Sequence, residues 1–414
     1  MSRYDELIAE LCPDGVEYKQ LWQVTTWDKR FNGVDRAKQP AINPHHYYLA
    51  KELQPVLAEQ GNIKVLTTSP TSLYTTDGLV DESHIKNGEI VAIPWGGNAV
   101  VQYYKGSYIT SDNRIAVVNT ESIMTKFLFY VLKSREEELS SYYRGAGIKH
   151  PEMSKVLGME IPVPPIEVQR EVVRILDSFT ELEAELEAEL EARKAQYAYY
   201  RERLFTLDSC EYEEKRFSEL CKSMNTGPFG SALHKSDYVD NGIPVVNPTD
   251  IADGRIIPSK GIGQDKAAEL NRYALKENDI VIGRRGEMGR IAVVSSKEAG
   301  FICGTGCFFI TPNSKVLPAY WRHFFATQEP KTWLESNAIG GTMKNLNTEI
   351  LGRMPVRIPP LDTQQKVVDI LDRFNALTTS LTDGLPAEIK ARRTQYGYYR
   401  DRLLDFPRKE VAAS

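Results

Sequence analysis

Three arginines surround a pair of glycines in the second half of the chain. Arg284 and Arg285 precede Gly286, and Arg290 follows Gly289, between two short runs of β-branched residues. A guanidinium group can hold a phosphate or make a bidentate contact with the edge of guanine. The residues therefore indicate a nucleic-acid contact on a hairpin turn. The alternative is that they are solvated charges on an exposed hairpin.

Two lysines follow glycine-rich turns in the two halves of the chain. Lys149 ends the stretch 145–149, and Lys344 ends the stretch 340–344. Backbone amides in such a turn, together with a lysine, suit a phosphate group. Further candidates for contact with DNA lie in or beside predicted turns: Gly227, Phe229, Ser231, Trp95, Asn98, Asn113 and Arg114. Each of these also fits an ordinary turn.

Catalytic signatures are missing from the sequence. An adenine methyltransferase needs an Asn/Asp-Pro-Pro-aromatic motif and a glycine-rich cofactor loop, whereas the nearest stretch, Asn247-Pro248-Thr249-Asp250, lacks the second proline and the aromatic residue. No P-loop and no nuclease carboxylate–lysine cluster is evident. His45 and His46 lack partners for a metal site. We therefore expect no catalytic residue, no metal and no cofactor in this chain.

Composition narrows the class of protein. The five cysteines show no Cys-x-x-Cys spacing, which favours a reducing compartment over a disulfide scaffold or a zinc site. No signal peptide and no membrane-spanning apolar run is evident, so we expect a cytoplasmic protein without a membrane contact. The net charge is −5, so any surface for nucleic acid must be local or completed by a partner.

A long stretch of the chain occurs twice. Residues 164–179 return as residues 359–374 with nine of sixteen positions identical, at an offset of 195. Residues 192–204 return as residues 391–403 with nine of thirteen identical, at an offset of 199. The second copy is therefore four residues longer. A repeat of this length governs the interpretation of the rest.

Both copies of the repeat are predicted to be long helices. A proline pair opens each copy, and apolar residues follow at three- and four-residue steps. The apolar stripe is too narrow for a globular core, so we expect the copies to pair as an antiparallel coiled coil. The packing residues are predicted to be Leu176, Phe179, Leu182, Leu186, Leu190, Leu371 and Phe374. Asp383-Gly384-Leu385-Pro386 predicts a break in the second helix.

Between the repeats lie two regions with short β-branched runs and many Gly, Pro, Asn and Asp residues. The predicted fold class is α+β, with two strand-rich mixed domains separated by two long helical repeats. The predicted boundaries are 1–158 for the first domain, 159–208 for the first helix, 209–357 for the second domain and 358–414 for the second helix, broken near 383–386. Similar helices with dissimilar domains predict a symmetric frame that presents two different binding surfaces.

At this point the sequence resembles the specificity subunits of Type I restriction–modification systems, over essentially its whole length. The resemblance is carried by the two repeated helices, the tetrad run Leu182–Glu189, the tail Thr382–Asp401 and the stretch 227–233 with 242–246. The tetrad run and the tail look most like the IC-like subgroup. Any one of these signals alone is weak.

The resemblance implies that each mixed domain is a target-recognition domain for one half of a split, asymmetric DNA site. It implies two modification subunits that methylate adenine, and restriction subunits that translocate and cut double-stranded DNA. S-adenosylmethionine, ATP and Mg²⁺ are then implied for those partners only. Domains one turn of B-DNA apart would leave a spacer of roughly 6–7 bp. Four tyrosines of the repeat fit packing or docking of partner subunits: Tyr197, Tyr200, Tyr396 and Tyr399.

Two alternatives stay open from the sequence. The chain could be a coiled-coil scaffold that binds proteins and does not read DNA. It could also be the specificity part of a related system that only methylates, because a nuclease would be another chain.

Overall fold

The computed structural model describes residues 2–206, 211–229, 232–286, 288–340, 344–380 and 382–409. Its contacts group the chain into two compact units. Unit 1 contains residues 1–185 and 389–414, and unit 2 contains residues 186–388. The two repeated helices therefore each contribute one part to each unit. None of the described helices is both long and apolar enough to cross a membrane.

Unit 1 begins with a short helix and contains most of the strands of the first half. Its helices and the long helix that follows are α1 (Arg3–Leu11), α2 (Leu21–Val24), α3 (Ala50–Leu53), α4 (Thr125–Ser134), α5 (Glu136–Ser141), α6 (Met153–Leu157) and α7 (Ile166–Leu204). Its strands are β1 (Glu17–Gln20), β2 (Thr25–Trp27), β3 (Ile63–Leu66), β4 (Tyr74–Thr75), β5 (Lys86–Pro94), β6 (Gln102–Thr110), β7 (Asn113–Val118), β8 (Tyr143–Arg144), β9 (His150–Pro151) and β10 (Glu160–Val163).

A six-stranded sheet in the order β2-β7-β5-β6-β3-β4 forms the centre of unit 1. All its pairings are antiparallel except that of β3 with β6. Successive residues of a strand point to opposite faces. Accordingly Val91 and Ile93 join the core that also contains α4 and α7, while Ile90 and Ala92 join a separate core on the other face. Both faces of the strand are therefore buried from Ile90 to Ile93.

Unit 2 contains the second strand-rich region. Its helices, with the one that runs on into unit 1, are α8 (Gln264–Glu269), α9 (Pro318–Phe324), α10 (Gln328–Asn337), α11 (Thr348–Gly352), α12 (Leu361–Thr379) and α13 (Leu385–Leu404). Its strands are β11 (Glu213–Arg216), β12 (Cys221–Thr226), β13 (Tyr238–Val239), β14 (Ile243–Val246), β15 (Ile251–Ala252), β16 (Arg255–Ile256), β17 (Gly261–Ile262), β18 (Ile280–Gly283), β19 (Ile291–Val293), β20 (Ile302–Cys303), β21 (Cys307–Pro312) and β22 (Pro355–Ile358).

The main sheet of unit 2 has the order β12-β21-β18-β19, which repeats the order β2-β7-β5-β6 of unit 1. Its central strand β18 also divides its side chains between two cores. Ile280 and Ile282 pack with α9 and α12, and Val281 packs with the second sheet, β13-β17-β14-β20. The two regions share little sequence, but they fold into the same central arrangement.

The first and last strands of each mixed domain pair with each other in both units. The strand that enters the domain pairs antiparallel with the strand that leads into the repeated helix, β1 with β10 in unit 1 and β11 with β22 in unit 2. A helical turn follows the entry strand in both, and its apolar residues Leu21 and Phe217 are fully buried. The ends of each mixed domain are thus fixed beside the start of a repeated helix.

The long helices match the sequence prediction. The first repeat is one helix, α7, of 39 residues. The second is broken between Thr379 and Leu385 into α12 and α13, as predicted. Gly384 is required there, because a Cβ atom at this position would lie 2.7 Å from the carbonyl oxygen of Ala376. Pro386 then occupies the first turn of α13, where a proline ring is tolerated.

Within unit 1, α7 and α13 pack antiparallel. Phe179 stacks on Tyr399 with ring centroids 5.5 Å apart, and further along α7 the carboxylate of Glu183 lies 2.5 Å from Nε of Arg393. In unit 2 the same contact returns with the partners exchanged, because Phe374 of α12 stacks on Tyr200 of α7 at 5.9 Å. The stripe residues Leu176, Leu186 and Leu371 are buried, and Leu182 and Leu190 are half-buried.

A buried glutamine ties each repeated helix to its mixed domain. In unit 1, Oε1 of Gln169 accepts from the backbone N–H of Met124 at 2.8 Å, and Nε2 donates to the carbonyl oxygens of Ser122 and Pro164 at 2.8 and 2.7 Å. In unit 2, Gln364 accepts from Leu317 at 2.9 Å. Its Nε2 donates to two carbonyl oxygens at 2.8 Å, those of Lys315 and Pro359.

An aspartate at a second identical position of the repeat adds another tie. In unit 1, Asp177 accepts hydrogen bonds from Lys126 and Tyr130 of α4. In unit 2, Asp372 accepts from Arg322 and His323 of α9. Burial disfavours the charged form of Asp372, but the hydrogen bond from His323 and the charge of Arg322 outweigh it and lower the pKa of the carboxyl.

Removal of the buried glutamine side chain should destabilise the protein strongly. Gln364→Ala should lower the free energy of unfolding by about 3 kcal/mol, because it leaves one buried N–H and two carbonyl groups without this partner. Gln365→Ala is the matched control, since Gln365 is exposed and bonds to Asp369 on the same helix. Urea titration followed by circular dichroism measures both variants, and equal losses would contradict the tie.

Candidate DNA interface

Two predicted contact segments of unit 1 meet at one edge of the sheet. Residues 95–101 follow β5, and residues 145–149 form the turn of the β8–β9 hairpin. The backbone N–H of Gly97 donates to the carbonyl oxygen of Lys149 at 2.9 Å, and Nδ1 of His150 lies 2.7 Å from the carbonyl oxygen of Trp95. Asn98 and Lys149 are exposed on this edge. The structure thus brings together segments that are fifty residues apart in sequence.

Trp95 is held by aromatic and cationic neighbours. Its ring stacks on Phe31 with centroids 6.4 Å apart and planes 15° apart. Nζ of Lys29 lies 4.7 Å from the ring centroid, and the guanidinium carbon of Arg114 lies 4.8 Å from it. Contacts of this kind fix the plane of a ring and stabilise it modestly. The half-buried indole is therefore a rigid part of the edge.

Two candidates of unit 1 lie inside the protein. Arg114 is 4% exposed and its Nη1 lies 2.8 Å from the buried carboxylate of Asp28. Asn113 is fully buried and donates to the carbonyl oxygens of Leu66 and Ser111. In this structure Arg114 and Asn113 bond to the protein, and their contact with DNA stays a prediction from the sequence.

Unit 2 has the equivalent pair of segments. Arg284 directly follows β18 as Trp95 follows β5, and its N–H donates to the turn before β21 as that of Trp95 donates to the turn before β7. Arg285 pairs with Asn345 beside the glycine-rich turn, whose residues 341–343 lie outside the described part of the chain. Arg285 is exposed. Lys344 is exposed too, and its Nζ donates to the carbonyl oxygen of Glu335 at 3.2 Å.

Arg284 also bonds to the protein, and its contact with DNA stays a prediction from the sequence. Its side chain is 4% exposed, and Nε and Nη2 donate to the carbonyl oxygen of Thr305 at 3.1 and 3.0 Å. Burial and the charge of Arg285 lower the pKa of its guanidinium. Arg290 is half-buried, with Nη1 3.5 Å from the carbonyl oxygen of Ile251. Of the three arginines, Arg285 is the exposed one.

The third predicted segment of unit 2 follows β12 and includes an exposed aromatic side chain. Gly227 is buried, and a Cβ atom there would lie 2.0 Å from the carbonyl oxygen of Gly304, so close packing requires glycine. Phe229 is 67% exposed. Ser231 lies outside the described residues. The structure thus leaves Phe229 available on the surface and gives Gly227 a packing role.

The comparisons with known proteins agree on one family. A family model described as the Type I restriction modification DNA specificity domain matches residues 48–192 and 210–391. The chain belongs to the specificity subunits of Type I restriction–modification systems. Proteins of this family are non-catalytic DNA-recognition subunits, and so is this chain. Its likeness to the IC-like subgroup stays a prediction from the sequence.

Individual relatives match most of the chain. A Type I restriction enzyme specificity subunit of Escherichia coli is 29% identical over 301 residues, 70% of this chain and 73% of that protein. A putative type I restriction enzyme specificity subunit of Haemophilus influenzae is 30% identical over 345 residues, 78% of this chain and 85% of that protein. The crystal structure of an S subunit from M. genitalium has the same fold, with a TM-score of 0.54 and 16% identity, covering 94% of this chain and 95% of that one.

The tyrosines of this specificity subunit divide into packed and exposed residues. Tyr197, Tyr396 and Tyr399 are half-buried and Tyr200 is 39% exposed, and all four lie against a phenylalanine of the other repeat. Packing therefore accounts for them. Their neighbours Tyr199 and Tyr398, at equivalent repeat positions, are 57% and 62% exposed. Sequence reasoning missed these two, although the offset of 199 that relates them is visible in the sequence.

Sequence reasoning also missed the residues that support the candidate interface. Gln169 and Gln364 are identical in the repeat, so their importance had a signal in the sequence. Lys29 and Phe31 had none, because their contact with Trp95 joins residues more than sixty positions apart. Within the described part of the chain, no group of three or more His, Cys, Asp or Glu side chains could hold a metal ion.

Substitution of the two adjacent arginines should have different effects, on stability for Arg284 and on DNA binding for Arg285. Arg284→Ala should lower the free energy of unfolding by about 2 kcal/mol, since it leaves the Thr305 carbonyl without its donor. Arg285→Ala should change that free energy by less than about 0.5 kcal/mol and weaken binding roughly tenfold at one half-site only. Urea titration and binding assays across half-site variants measure the two effects. Equal losses at both half-sites would argue against separate domains.

Proposed function

We propose that this chain recognises a bipartite, asymmetric DNA site, one half-site through each unit, with a spacer of roughly 6–7 bp. The observation that carries the proposal is the shared sheet with different residues at equivalent edge positions. Unit 1 presents Trp95, Asn98 and Lys149 there, and unit 2 presents Arg285 and Lys344. Equal scaffolds with unequal edges are what two different half-sites require.

Local charge supports contact with DNA despite the net charge of −5. Lys149, Arg285 and Lys344 are exposed cations on the candidate edges. Such side chains release counterions when they neutralise phosphates, and they orient a protein on the duplex. Exposed Phe229 and half-buried Trp95 add aromatic surface beside them. Base-specific contacts then come from the same edges, through residues that differ between the units.

The chain also serves as a scaffold in this proposal. Its relatives are named as subunits of Type I restriction enzymes, which supports two modification subunits and restriction subunits as its partners. Those partners would bind S-adenosylmethionine, ATP and Mg²⁺, and the assembly would work on double-stranded DNA in the cytoplasm. The exposed rings of Tyr199 and Tyr398 occupy equivalent positions. Equivalent surfaces suit two copies of one partner.

The tetrad run of α7 is proposed to set the spacer. Deleting Leu186-Glu187-Ala188-Glu189 would shorten the helix by about 6 Å and rotate its far end by about 40°. We expect a changed spacer and unchanged half-sites in the methylome of cells that express the variant with its modification partner. A duplicated tetrad is the matched variant and should change the spacer in the other direction. An unaltered spacer in folded variants would refute this role of the helix.

The docking surface predicts a change in stoichiometry. Tyr199→Ala and Tyr398→Ala should each reduce the number of bound modification subunits from two to one, and the double variant to none. Native mass spectrometry of the purified complex counts the subunits. Tyr212→Ala is the control, because Tyr212 is a 43% exposed tyrosine outside the repeat. Two bound subunits in the double variant would locate docking elsewhere.

A further inference from the structure

A basic cleft lies within unit 2, beside the candidate interface. Its volume is about 670 Å³, and its walls come from α7, α9, α10, α12, the β15–β16 hairpin and the loop before β19. Five basic side chains line it: Lys194, Arg201, Arg290, Arg322 and Lys331. Among the lining residues that the structure describes, Asp253 is the one acidic side chain. A cleft of this size holds a molecule as large as a nucleotide.

Arg201 carries an unused hydrogen-bond donor at this cleft. Its guanidinium carbon lies 5.2 Å from the centroid of the Tyr197 ring, and its Nε is buried without a hydrogen-bond partner among the described residues. A buried donor that finds no acceptor in the protein costs about 1–3 kcal/mol. An anionic ligand would supply that acceptor and a charge-assisted hydrogen bond.

The repeat provides an internal comparison, because Arg201 corresponds to Arg400 at the offset of 199. In unit 1, Arg400 is paired with the next residue, Asp401, at 2.7 Å. In unit 2, the corresponding Glu202 instead accepts from the backbone N–H of Gln328 at 3.1 Å. The same arginine is thus neutralised by its neighbour in unit 1, while in unit 2 that neighbour is bonded elsewhere.

A second pair of equivalent positions also differs between the two units. In unit 1, Glu183 of α7 pairs with Arg393 at 2.5 Å. The corresponding residues in unit 2 are Thr378, at the offset of 195, and Lys194, at the offset of 199. Both of these line the cleft. Unit 2 therefore lacks the carboxylate on the facing helix, and Lys194 pairs instead with Glu191 of its own helix at 2.8 Å.

Apolar and aromatic side chains also line the cleft, beside the polar Asn375, Thr378 and Thr379. The apolar and aromatic ones include Tyr197, Ile251, Met288, Ile291 and Phe325. Phe325 is fully buried, so the half-buried ring of Tyr197 is the aromatic surface that can accept the flat face of a base. The combination of this ring with the basic side chains favours a small ligand with a base and phosphates over a lone inorganic ion.

We infer that this cleft binds a polyphosphate of nucleotide size, with Arg201 and Lys331 among the groups that hold its phosphates. The inference does not depend on how the two half-sites are read. Free nucleotides and the DNA backbone both carry phosphate, and the test separates these two sources.

The test uses the full chain and isothermal titration calorimetry with ATP and with sodium tripolyphosphate at low salt. We expect one site for each anion, with tighter binding of ATP. Arg201→Gln and Lys331→Gln should each weaken binding about tenfold, the loss typical of one charge-assisted hydrogen bond. Arg400→Gln is the matched control in unit 1 and should leave both affinities unchanged. Urea titration checks that each variant is folded.

Three results would overturn the inference. The first is that neither anion binds the folded chain. The second is an equal loss of affinity in Arg400→Gln and Arg201→Gln, which would indicate general charge attraction. The third is that Arg201→Gln weakens only the binding of a duplex without the target site, which would assign the cleft to backbone phosphates of DNA and exclude a nucleotide ligand.

Discussion

The structure depends on one repeated interaction, the buried glutamine that joins each long helix to its mixed domain. Gln169 and Gln364 each satisfy one N–H and two carbonyl groups of the backbone. A buried amide with all of these partners tolerates little change in geometry, because any shift leaves polar groups unpaired. The attachment of a domain to its helix is therefore the same in both units, whatever residues the domain presents at its edge.

This constraint separates the parts of the molecule that repeat from the parts that vary. The entry strands, the central sheet order and the stacking of a phenylalanine on repeat tyrosines occur in both units. The edge beyond β5 carries a tryptophan held between cations, whereas the edge beyond β18 carries arginines. A specificity subunit gains from this division, since recognition can change at the edges without altering the frame.

Acidic and basic side chains are also distributed differently between the repeated helices and the rest of the molecule. The described glutamates of the tetrad run are mostly exposed on α7, and the chain as a whole is acidic. Basic side chains are instead concentrated locally, at the candidate edges and in the cleft of unit 2. Repulsion between the acidic helix face and phosphate disfavours nucleic acid along this part of α7. Positive charge is thus a property of particular surfaces and is invisible in the net charge.

The repeat, the long helices, the break before Leu385 and the family could all be predicted from the order of residues in the chain. These features depend on spacing and identity along the chain, which need no knowledge of distant contacts. The folded structure was needed to learn that Arg284 is buried while Arg285 is exposed, and that Arg114 is paired with Asp28, 86 positions away. It alone revealed that two dissimilar sequences form the same sheet. The physical reason is that burial and pairing are set by side chains brought together from remote parts of the chain, so adjacent residues of one type can have opposite roles.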